Sequence, residues 1–364
     1  MRPTARETAK IAQKTMTRSP YSGLPNRAFW RGGMAGASLV PPDLYQPKFP
    51  ITKESRVFTA GSCFAQHVGT AMKTAGISVI DAEPTPRGMP TEVAKRHGYG
   101  IYSARFGNIY TVKQFRQMVD ELTGSPIEDA IWEKGGRYWD AMRPGVDARG
   151  LSSVEHVVEL RAQHLQAVHA ALTDADVIVF TLGLTEAWEH LATGTVYPTA
   201  PGTIAGTYDA ETYGFVNYDV DDVLDEFRAL DAAIRRINAS AKWVLTVSPV
   251  PLAATASGDH VLPATVRSKS VLRVVCDTLS RDHDHIDYFP SYEIVTSPAH
   301  PNGAFEDDLR SVKPDVVAQI MAGFLASHGL VEPTPSTNLP PAAEPDDDVI
   351  CEEILLNTFR PGTS

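Results

Sequence analysis

The fold of this chain is decided by residues 56–65, which read Arg-Val-Phe-Thr-Ala-Gly-Ser-Cys-Phe-Ala. Residues 56–60 form an extended apolar run and a helix-like run follows at 66–73, so Ser62 and Cys63 are predicted to lie on a tight strand-to-helix turn. A helix N-terminus favours negative charge, so a thiol there loses its proton more readily, and the same N–H groups are able to hold an oxyanion. If the protein is an enzyme, we expect its chemistry to start at Cys63 or Ser62.

Segments typical of strands and helices alternate from about residue 55 to residue 330. Short runs rich in Val, Ile and Phe predict strands buried on both faces at 57–60, 77–81, 177–182, 243–249 and 286–290. Helices are predicted between and after them, at 63–75, 111–123, 154–173, 219–238, 266–282 and 313–328. Alternation of this kind predicts an α/β fold with a doubly wound, mostly parallel sheet.

Composition divides the chain into three parts. Residues 51–330 carry the alternating pattern and are predicted to form the α/β domain. Residues 1–50 mix basic residues with Pro and Gly and are predicted to be an arm partly packed on the body, with the dipeptide Phe29-Trp30 as its anchor. Residues 331–364 are predicted to be an acidic, Pro-rich linker and tail, in which residues 349–359 are apolar enough to dock back or to bind a partner.

Three long insertions interrupt the alternating pattern, at 82–110, 124–153 and 191–218. The first two are rich in Gly, Pro and aromatic residues, and the third is irregular. Because long loops after strand ends in an α/β sheet usually build the ligand site, we expect these insertions to shape a binding crevice.

Charge and cysteine content exclude several classes of protein. The net charge of −11, from 44 acidic and 33 basic residues, argues against a nucleic-acid partner. The three cysteines, Cys63, Cys276 and Cys351, are far apart, so neither a disulfide framework nor a metal site is expected, and no cofactor is expected. Without an apolar signal-peptide core or a run of about 18 apolar residues, the sequence predicts a cytoplasmic protein with no membrane span. Cys276 lies in a helical apolar pattern and is expected in the core.

Polar clusters follow four of the predicted strands. They read Gly-Ser-Cys at 61–63, Gly-Leu-Thr-Glu-Ala-Trp at 183–188, Ser-Pro-Val-Pro at 248–251 and Pro-Ser-Tyr-Glu at 290–293. Because the carboxyl ends of parallel strands line one edge of a sheet, we expect the four clusters to converge. A nucleophile, carboxylates and small hydroxyls in one crevice are what an acyl-transfer site requires.

These clusters also carry a resemblance to a known family. The pentapeptide at 61–65 is the one that names the GSCFA-domain family, and the chain resembles that family in further ordered blocks. The matching blocks lie at 107–110, 140–144, 183–186, 248–251, 268–270 and 288–293. The family is similar to the SGNH (GDSL-like) hydrolases, which implies a flavodoxin-like, three-layer α/β/α fold and ester hydrolysis or acyl transfer on lipids or carbohydrates.

The resemblance assigns roles to residues of this sequence. It puts Cys63 in the position of the nucleophilic serine and implies an oxyanion hole built from the Cys63 N–H, Gly107 and Thr185, the last replacing the usual asparagine. A threonine hydroxyl is able to donate one such hydrogen bond. Further polar residues of the matching segments are candidates for the oxyanion or substrate contacts: Asn108, Arg143, Ser248, Ser291 and Arg310.

The general base is left open by the sequence. SGNH enzymes carry Asp-x-x-His before the last helix, whereas this chain reads Asp308-Leu309-Arg310-Ser311 and has serine in the fourth place. Asp308 is retained. His300, eight residues upstream, and His67, one helical turn after Cys63, are the candidate substitutes. Glu186 is a further acid–base candidate if burial raises its pKa.

Each candidate also has a structural interpretation. Cys63 is a small core residue, and Ser62 caps the following helix. His67 packs beneath the sheet or hydrogen-bonds a carbonyl, and His300 is a solvated loop residue. Glu186 is stabilised by a helix dipole, Asp308 and Arg310 form an ion pair, and Arg143 ties down an insertion.

Two functions therefore stand at this point. The first is an SGNH-like hydrolase or acyltransferase acting on an ester or thioester of a small molecule, possibly a carbohydrate. The second is a ligand-binding or scaffolding module that kept the fold and lost the catalytic histidine. The oligomeric state is open.

Overall fold

The computed structural model describes residues 19–34, 40–41, 43–298, 300, 303–332 and 356. Its strands are β1 (Arg56–Gly61), β2 (Ser78–Val79), β3 (Ile131–Lys134), β4 (Arg137–Asp140), β5 (Val177–Leu182), β6 (Glu186–His190), β7 (Val196–Tyr197), β8 (Tyr213–Asn217), β9 (Lys242–Val247) and β10 (Ile286–Tyr288). Its helices are α1 (Trp30–Met34), α2 (Phe64–Thr74), α3 (Thr91–Arg96), α4 (Val112–Leu122), α5 (Val154–Asp174), α6 (Val220–Ile237), α7 (Val261–Asp282), α8 (Ser291–Thr296) and α9 (Pro314–Ser327).

Five parallel strands form the central sheet, in the order β2–β1–β5–β9–β10. Counted within this sheet, the order is 2-1-3-4-5, which is the order of flavodoxin-like folds. The prediction of a three-layer α/β/α fold with a doubly wound parallel sheet is confirmed. The strand order reverses between β1 and β5, and ligands of such sheets bind outside the carboxyl ends of the strands at that reversal.

Alternate residues of the buried strands face two separate cores. Phe180 of β5 and Trp243 of β9 belong to the core beneath α4, α5, α6 and α7. Val179 and Val244, their neighbours along the same strands, belong to the core beneath α2, α8 and α9. Side chains alternate across a strand, so a continuous apolar run is what a sheet covered on both faces requires.

The insertions contain more regular structure than the sequence predicted. β3 and β4 form an antiparallel hairpin within 124–153, and β6, β7 and β8 form a three-stranded antiparallel sheet. The prediction of an irregular 191–218 segment was therefore wrong. Every residue of β8 is only half-buried, so the segment lacks the apolar run by which buried strands are recognised.

The N-terminal arm is anchored by aromatic residues other than those predicted. Tyr45 and Phe49 are buried against α9 and its neighbours, and the Tyr45 hydroxyl donates to Asp287 at 2.8 Å. Phe29 and Trp30 are 44% and 73% exposed, because they belong to a local helical segment that has no buried residue. The predicted linker and tail lie outside the described residues, apart from residues 331, 332 and 356. Among the described helices, none combines the length and apolarity needed to cross a membrane.

Candidate active site

The turn between β1 and α2 depends on a glycine. Gly61 has a φ of +138°, and a Cβ atom built on it would lie 2.5 Å from the carbonyl oxygen of Thr181. Gly61 and Thr181 are directly paired across β1 and β5. The absence of a side chain lets β1 approach β5 at its last residue and then bend sharply into α2.

Ser62 and Cys63 follow at the point where the sheet order reverses. The Ser62 N–H donates to the Thr181 carbonyl at 3.1 Å, and the Ser62 carbonyl accepts a hydrogen bond from the Tyr102 hydroxyl. Cys63 is the residue at the N-terminal cap of α2, and its side chain makes no capping hydrogen bond. Both side chains are buried, with Ser62 2% and Cys63 4% exposed.

The Ser62 hydroxyl does not cap the helix, so that structural interpretation is wrong. Its Oγ is buried and makes no hydrogen bond within the part of the chain that the structure describes. Polar atoms that are buried and unpaired cost free energy, and they are often found at functional sites. The sequence thus places two potential nucleophiles side by side at this turn.

The loop after β5 touches this turn. A Cβ atom on Gly183 would lie 3.0 Å from the Cβ of Ser62, so the first two polar clusters are in contact. The N–H groups of Gly183 and Leu184 both donate to the Tyr110 carbonyl at 3.0 Å. The buried ammonium of Lys269 donates to the Gly183 carbonyl at 2.6 Å. The loop is held from both sides, by the segment before α4 and by α7.

Thr185 is held by hydrogen bonds to side chains of α7 and β8. It is fully buried, its N–H donates to Ser268 at 3.1 Å, and its hydroxyl donates to the side chain of Asn217 at 2.7 Å. Arg267 also contacts Asn217. The Thr185 hydroxyl proton is therefore engaged by Asn217 of β8, and the oxyanion role that the resemblance implied stays a prediction.

Gly107 and Asn108 lie beside the turn that contains Ser62 and Cys63. Gly107 has a φ of +71°, and the N–H of the following Ile109 donates to the Gly61 carbonyl at 2.9 Å. Asn108 is buried, and its side-chain oxygen accepts from Tyr102, the same hydroxyl that contacts the Ser62 carbonyl. This block is thus joined directly to the turn.

The two candidate histidines have partners in the layer that contains α2 and α8. His67 packs edge-to-face on Phe64 within α2. The Nε2 of His300 lies 2.7 Å from the Ile294 carbonyl in α8 and so donates to it. The sequence made them candidates only through spacing, His67 by its distance from Cys63 and His300 by its distance from Asp308. In the structure, His67 contacts a residue of α2 and His300 contacts a residue of α8.

Asp308 and Ser311 close a polar turn just before α9. The Asp308 carboxylate accepts hydrogen bonds from the N–H groups of Arg310 and Ser311, each at 2.8 Å, and from the Ser311 hydroxyl at 2.6 Å. Partial burial raises the pKa of Asp308, but these hydrogen bonds outweigh it and hold the pKa below the ordinary value. Arg310 donates to the carbonyl of Pro251, which connects this turn to the loop after β9.

Three of the predicted substrate contacts have structural partners instead. Ser248 is buried and accepts from the N–H of Val250, and Ser291 is fully buried against Thr246 and the Val247 carbonyl. Arg143 is 5% exposed and is bound to Asp140 and to backbone carbonyls of neighbouring segments. The interpretation that Arg143 ties down an insertion is the one that its contacts fit.

A cavity of about 190 Å³ lies beside the loop that follows β5. Its lining is mainly apolar and aromatic and includes Leu184, Trp188, Tyr197 and Phe215. Glu186 lies at the cavity and accepts a hydrogen bond from the Thr255 hydroxyl at 2.7 Å. Burial raises the pKa of Glu186 above its ordinary value, against the opposing effect of that hydrogen bond.

Sequence reasoning missed the buried Lys269, whereas the cavity is lined in part by the 191–218 insertion, which is expected to shape a crevice. The signal for Lys269 in the sequence is a lysine inside an apolar helical pattern, in the Ser-Lys-Ser block at 268–270. The cavity joins residues from β6, β7, β8 and the loop after β9, which are far apart in sequence. Among the described residues there is no group of three His, Cys, Asp or Glu side chains that would hold a metal ion.

Comparison with known proteins gives one match. The model of the GSCFA family matches residues 56–324, which cover β1 through most of α9 and so include the Ser62–Cys63 turn, the β5 loop and the Asp308 turn. Neither the curated proteins nor the solved structures contain a match to this chain. Because the matched region is most of the sequence, the chain belongs to the GSCFA family.

Proposed function

We propose that this protein is an SGNH-like hydrolase or acyltransferase that acts on an ester or thioester through Cys63. The observation that carries the proposal is the contact between the Ser62–Cys63 turn and the Gly183 loop at the reversal of strand order. That position combines a thiol with the N-terminus of an 11-residue helix, and the β5 loop that touches it also lines the apolar cavity through Leu184. A helix N-terminus favours the thiolate and stabilises the oxyanion of an attacked carbonyl.

The reaction follows from these groups. The Cys63 sulfur attacks the acyl carbon, a C–S bond forms, and the ester C–O or thioester C–S bond breaks as the leaving group takes a proton. Water or an acceptor hydroxyl then cleaves the acyl-enzyme and restores the thiol. Backbone N–H groups at Cys63 and Gly107 serve as oxyanion donors, because the Thr185 hydroxyl is engaged by Asn217.

Glu186 is the proposed proton carrier. It lies at the cavity and its pKa is raised by burial, which brings a carboxyl group closer to the working pH. The substrate class that fits is an ester or thioester of a small molecule, such as an acylated sugar, whose acyl group enters the apolar cavity.

The alternative is a ligand-binding module without turnover. Two observations favour it: Ser311 stands where the related enzymes carry histidine, and the Thr185 hydroxyl points to Asn217. Such a protein would bind its ligand at the same cavity.

Thiol alkylation and ester cleavage test the proposal. We expect iodoacetamide to modify Cys63 with an apparent pKa well below the ~8.5 of ordinary cysteine. We also expect Cys63→Ala to lose at least tenfold of the cleavage rate of p-nitrophenyl acetate. Cys276→Ala is the matched control, since burial raises the pKa of the Cys276 thiol and keeps it unreactive. Full activity in Cys63→Ala overturns the role of Cys63, and binding of esters without cleavage by the intact protein supports the alternative.

A further inference from the structure

The cavity beside the β5 loop has an apolar wall and a polar corner. The two polar side chains in the corner, Glu186 and Thr255, are hydrogen-bonded to each other. The wall is built from side chains such as Trp188, Phe215 and Leu252. An occupant that uses this wall therefore has to be apolar, since burial of apolar surface is the main gain that the wall offers.

One of the residues lining the cavity comes from the C-terminal segment of the chain. Leu356 lies at the cavity and is half-buried. The rest of the lining comes from the α/β domain, between Tyr110 and Ala256. Leu356 thus belongs to a part of the chain well separated in sequence from every other residue at this site.

The connection is long enough for this placement. Leu356 follows the end of α9 at Ser327 by 29 residues. An extended chain of that length spans up to roughly 100 Å, more than enough to cross a domain of this size. The intervening stretch is rich in Pro and acidic residues, whereas residues 349–359 contain seven apolar side chains, cysteine included. The composition is that of a linker followed by an apolar segment.

We propose that the C-terminal segment of this chain docks in the cavity through Leu356 and competes there with the acyl group of the substrate. The docking stands on the position of Leu356, and the competition rests on the proposed function. The segment is an intramolecular ligand of the site. Its effective concentration near the cavity is set by the linker and is independent of the protein concentration.

Binding of the apolar dye Nile red to the full chain tests the docking. We expect Leu356→Asp to tighten dye binding at least threefold, because a carboxylate does not occupy the apolar wall and the cavity is opened. Thr363→Asp, which adds the same charge to the same tail, is expected to leave dye binding unchanged. Ala200 lines the cavity, and a tryptophan in its place would fill the space that the dye uses. When Ala200→Trp is present as well, Leu356→Asp is therefore expected to give no gain in dye affinity.

Each result has a defined meaning. Equal dye affinity in the wild type and Leu356→Asp overturns the docking, as does a gain that persists with Ala200→Trp. A gain that grows with protein concentration shows that the tail of a second copy occupies the cavity, and it overturns the intramolecular form.

Competition has its own readout. For p-nitrophenyl butyrate we expect Leu356→Asp to lower KM at least threefold with kcat unchanged. A tighter dye affinity with an unchanged KM overturns the competition and leaves the docking supported. Absence of cleavage in every variant counts against the proposed function, while the dye result still decides the docking.

Discussion

At the scale of single residues, Gly61 is the position on which the Ser62–Cys63 turn depends. Its φ of +138° is costly for any residue with a side chain, and a Cβ would lie 2.5 Å from the Thr181 carbonyl oxygen. We expect Gly61→Ala to destabilise the protein by about 2–5 kcal/mol, since backbone strain and overpacking add. The measurement is the free energy of unfolding in urea.

Gly76 provides a matched control at the other end of α2. It also has a positive φ, of +80°, but a Cβ there would meet nothing within 4 Å. Gly76→Ala is expected to cost about 1 kcal/mol, from backbone conformation alone. If the two variants lose equal stability, the close approach of β1 to β5 is not what requires glycine at Gly61.

Residue patterns predicted the position of the site but not the direction of its side chains. The sequence placed Ser62 and Cys63 on a strand-to-helix turn, and it brought the β5 loop to the same edge, because both inferences depend only on strand ends. The hydrogen bond of Thr185 to Asn217 was not predictable, because Asn217 lies on β8, in a segment predicted to be irregular. The orientation of a hydroxyl depends on such long-range partners.

At the scale of elements, Arg161 joins the hairpin of β3 and β4 to the helical layer. From α5 it pairs with Glu121 on α4 and with Asp140 at the end of β4. Burial raises the pKa of Asp140, but the charges of Arg161 and Arg143 outweigh it and hold the pKa below its ordinary value. The hairpin is thus attached through a buried charge cluster.

Loss of Arg161 is expected to be costly. Arg161→Leu leaves the buried carboxylates of Asp140 and Glu121 short of a partner, and breaking such a pair typically costs about 3–5 kcal/mol. Arg228→Leu, which removes an exposed pair with Asp225 on α6, is expected to cost less than about 1 kcal/mol. Urea unfolding of the two variants gives the comparison, and a loss below 1 kcal/mol for Arg161→Leu would show that the hairpin is held by packing.

Elements with a regular apolar pattern were predictable from sequence, including the short β2 and β10, whereas the strands of the insertions were not. The strand predicted at 177–182 coincides with β5, and the helix predicted at 154–173 differs from α5 by one residue, because both carry long, regular apolar patterns. The two-residue β7 and the half-buried β8 carry no such pattern. Their strands are stabilised by cross-strand aromatic contacts such as Trp188 with Phe215, which become visible only once the chain has folded.

At the scale of the whole molecule, a histidine packs against each of the two cores, His164 on Phe106 and the half-buried His328 on Phe324. His164 on α5 is buried, with Nδ1 donating to Glu83 at 2.7 Å and Arg143 nearby. Burial and the Arg143 charge lower its pKa to about 4, against the effect of Glu83. On the other face of the sheet, burial lowers the pKa of His328 to about 4, and its Nδ1 accepts from the Ile51 N–H. Protonation of His328 would remove that acceptor.

These two pKa shifts predict that the protein loses stability as the pH falls from about 6.5 to about 4. In the unfolded chain both histidines take up protons near pH 6.5, whereas in the folded protein they stay neutral to about pH 4. The contribution of the two neutral histidines to the free energy of unfolding is therefore complete above pH 6.5. It is lost as the pH falls towards 4, at up to about 2 kcal/mol per pH unit near pH 5. Glu83 adds to the loss below its ordinary pKa, because hydrogen bonds from His164 and Arg105, with the Arg143 charge, overcome its burial and lower its pKa to about 2.

Urea unfolding between pH 7 and pH 4 measures this dependence. The carboxylates of the chain contribute mainly below pH 5, so the interval from pH 6.5 to pH 5 isolates the histidines. A His164→Gln/His328→Gln double variant is expected to be less stable at pH 7 but to lose little further stability across that interval, since glutamine does not titrate. Each single variant is expected to remove about half of the slope, because the two sites lie on opposite faces of the sheet and act independently. A double variant with the wild-type slope would show that other groups bind the protons on unfolding, and that the two cores are not the source of the acid sensitivity.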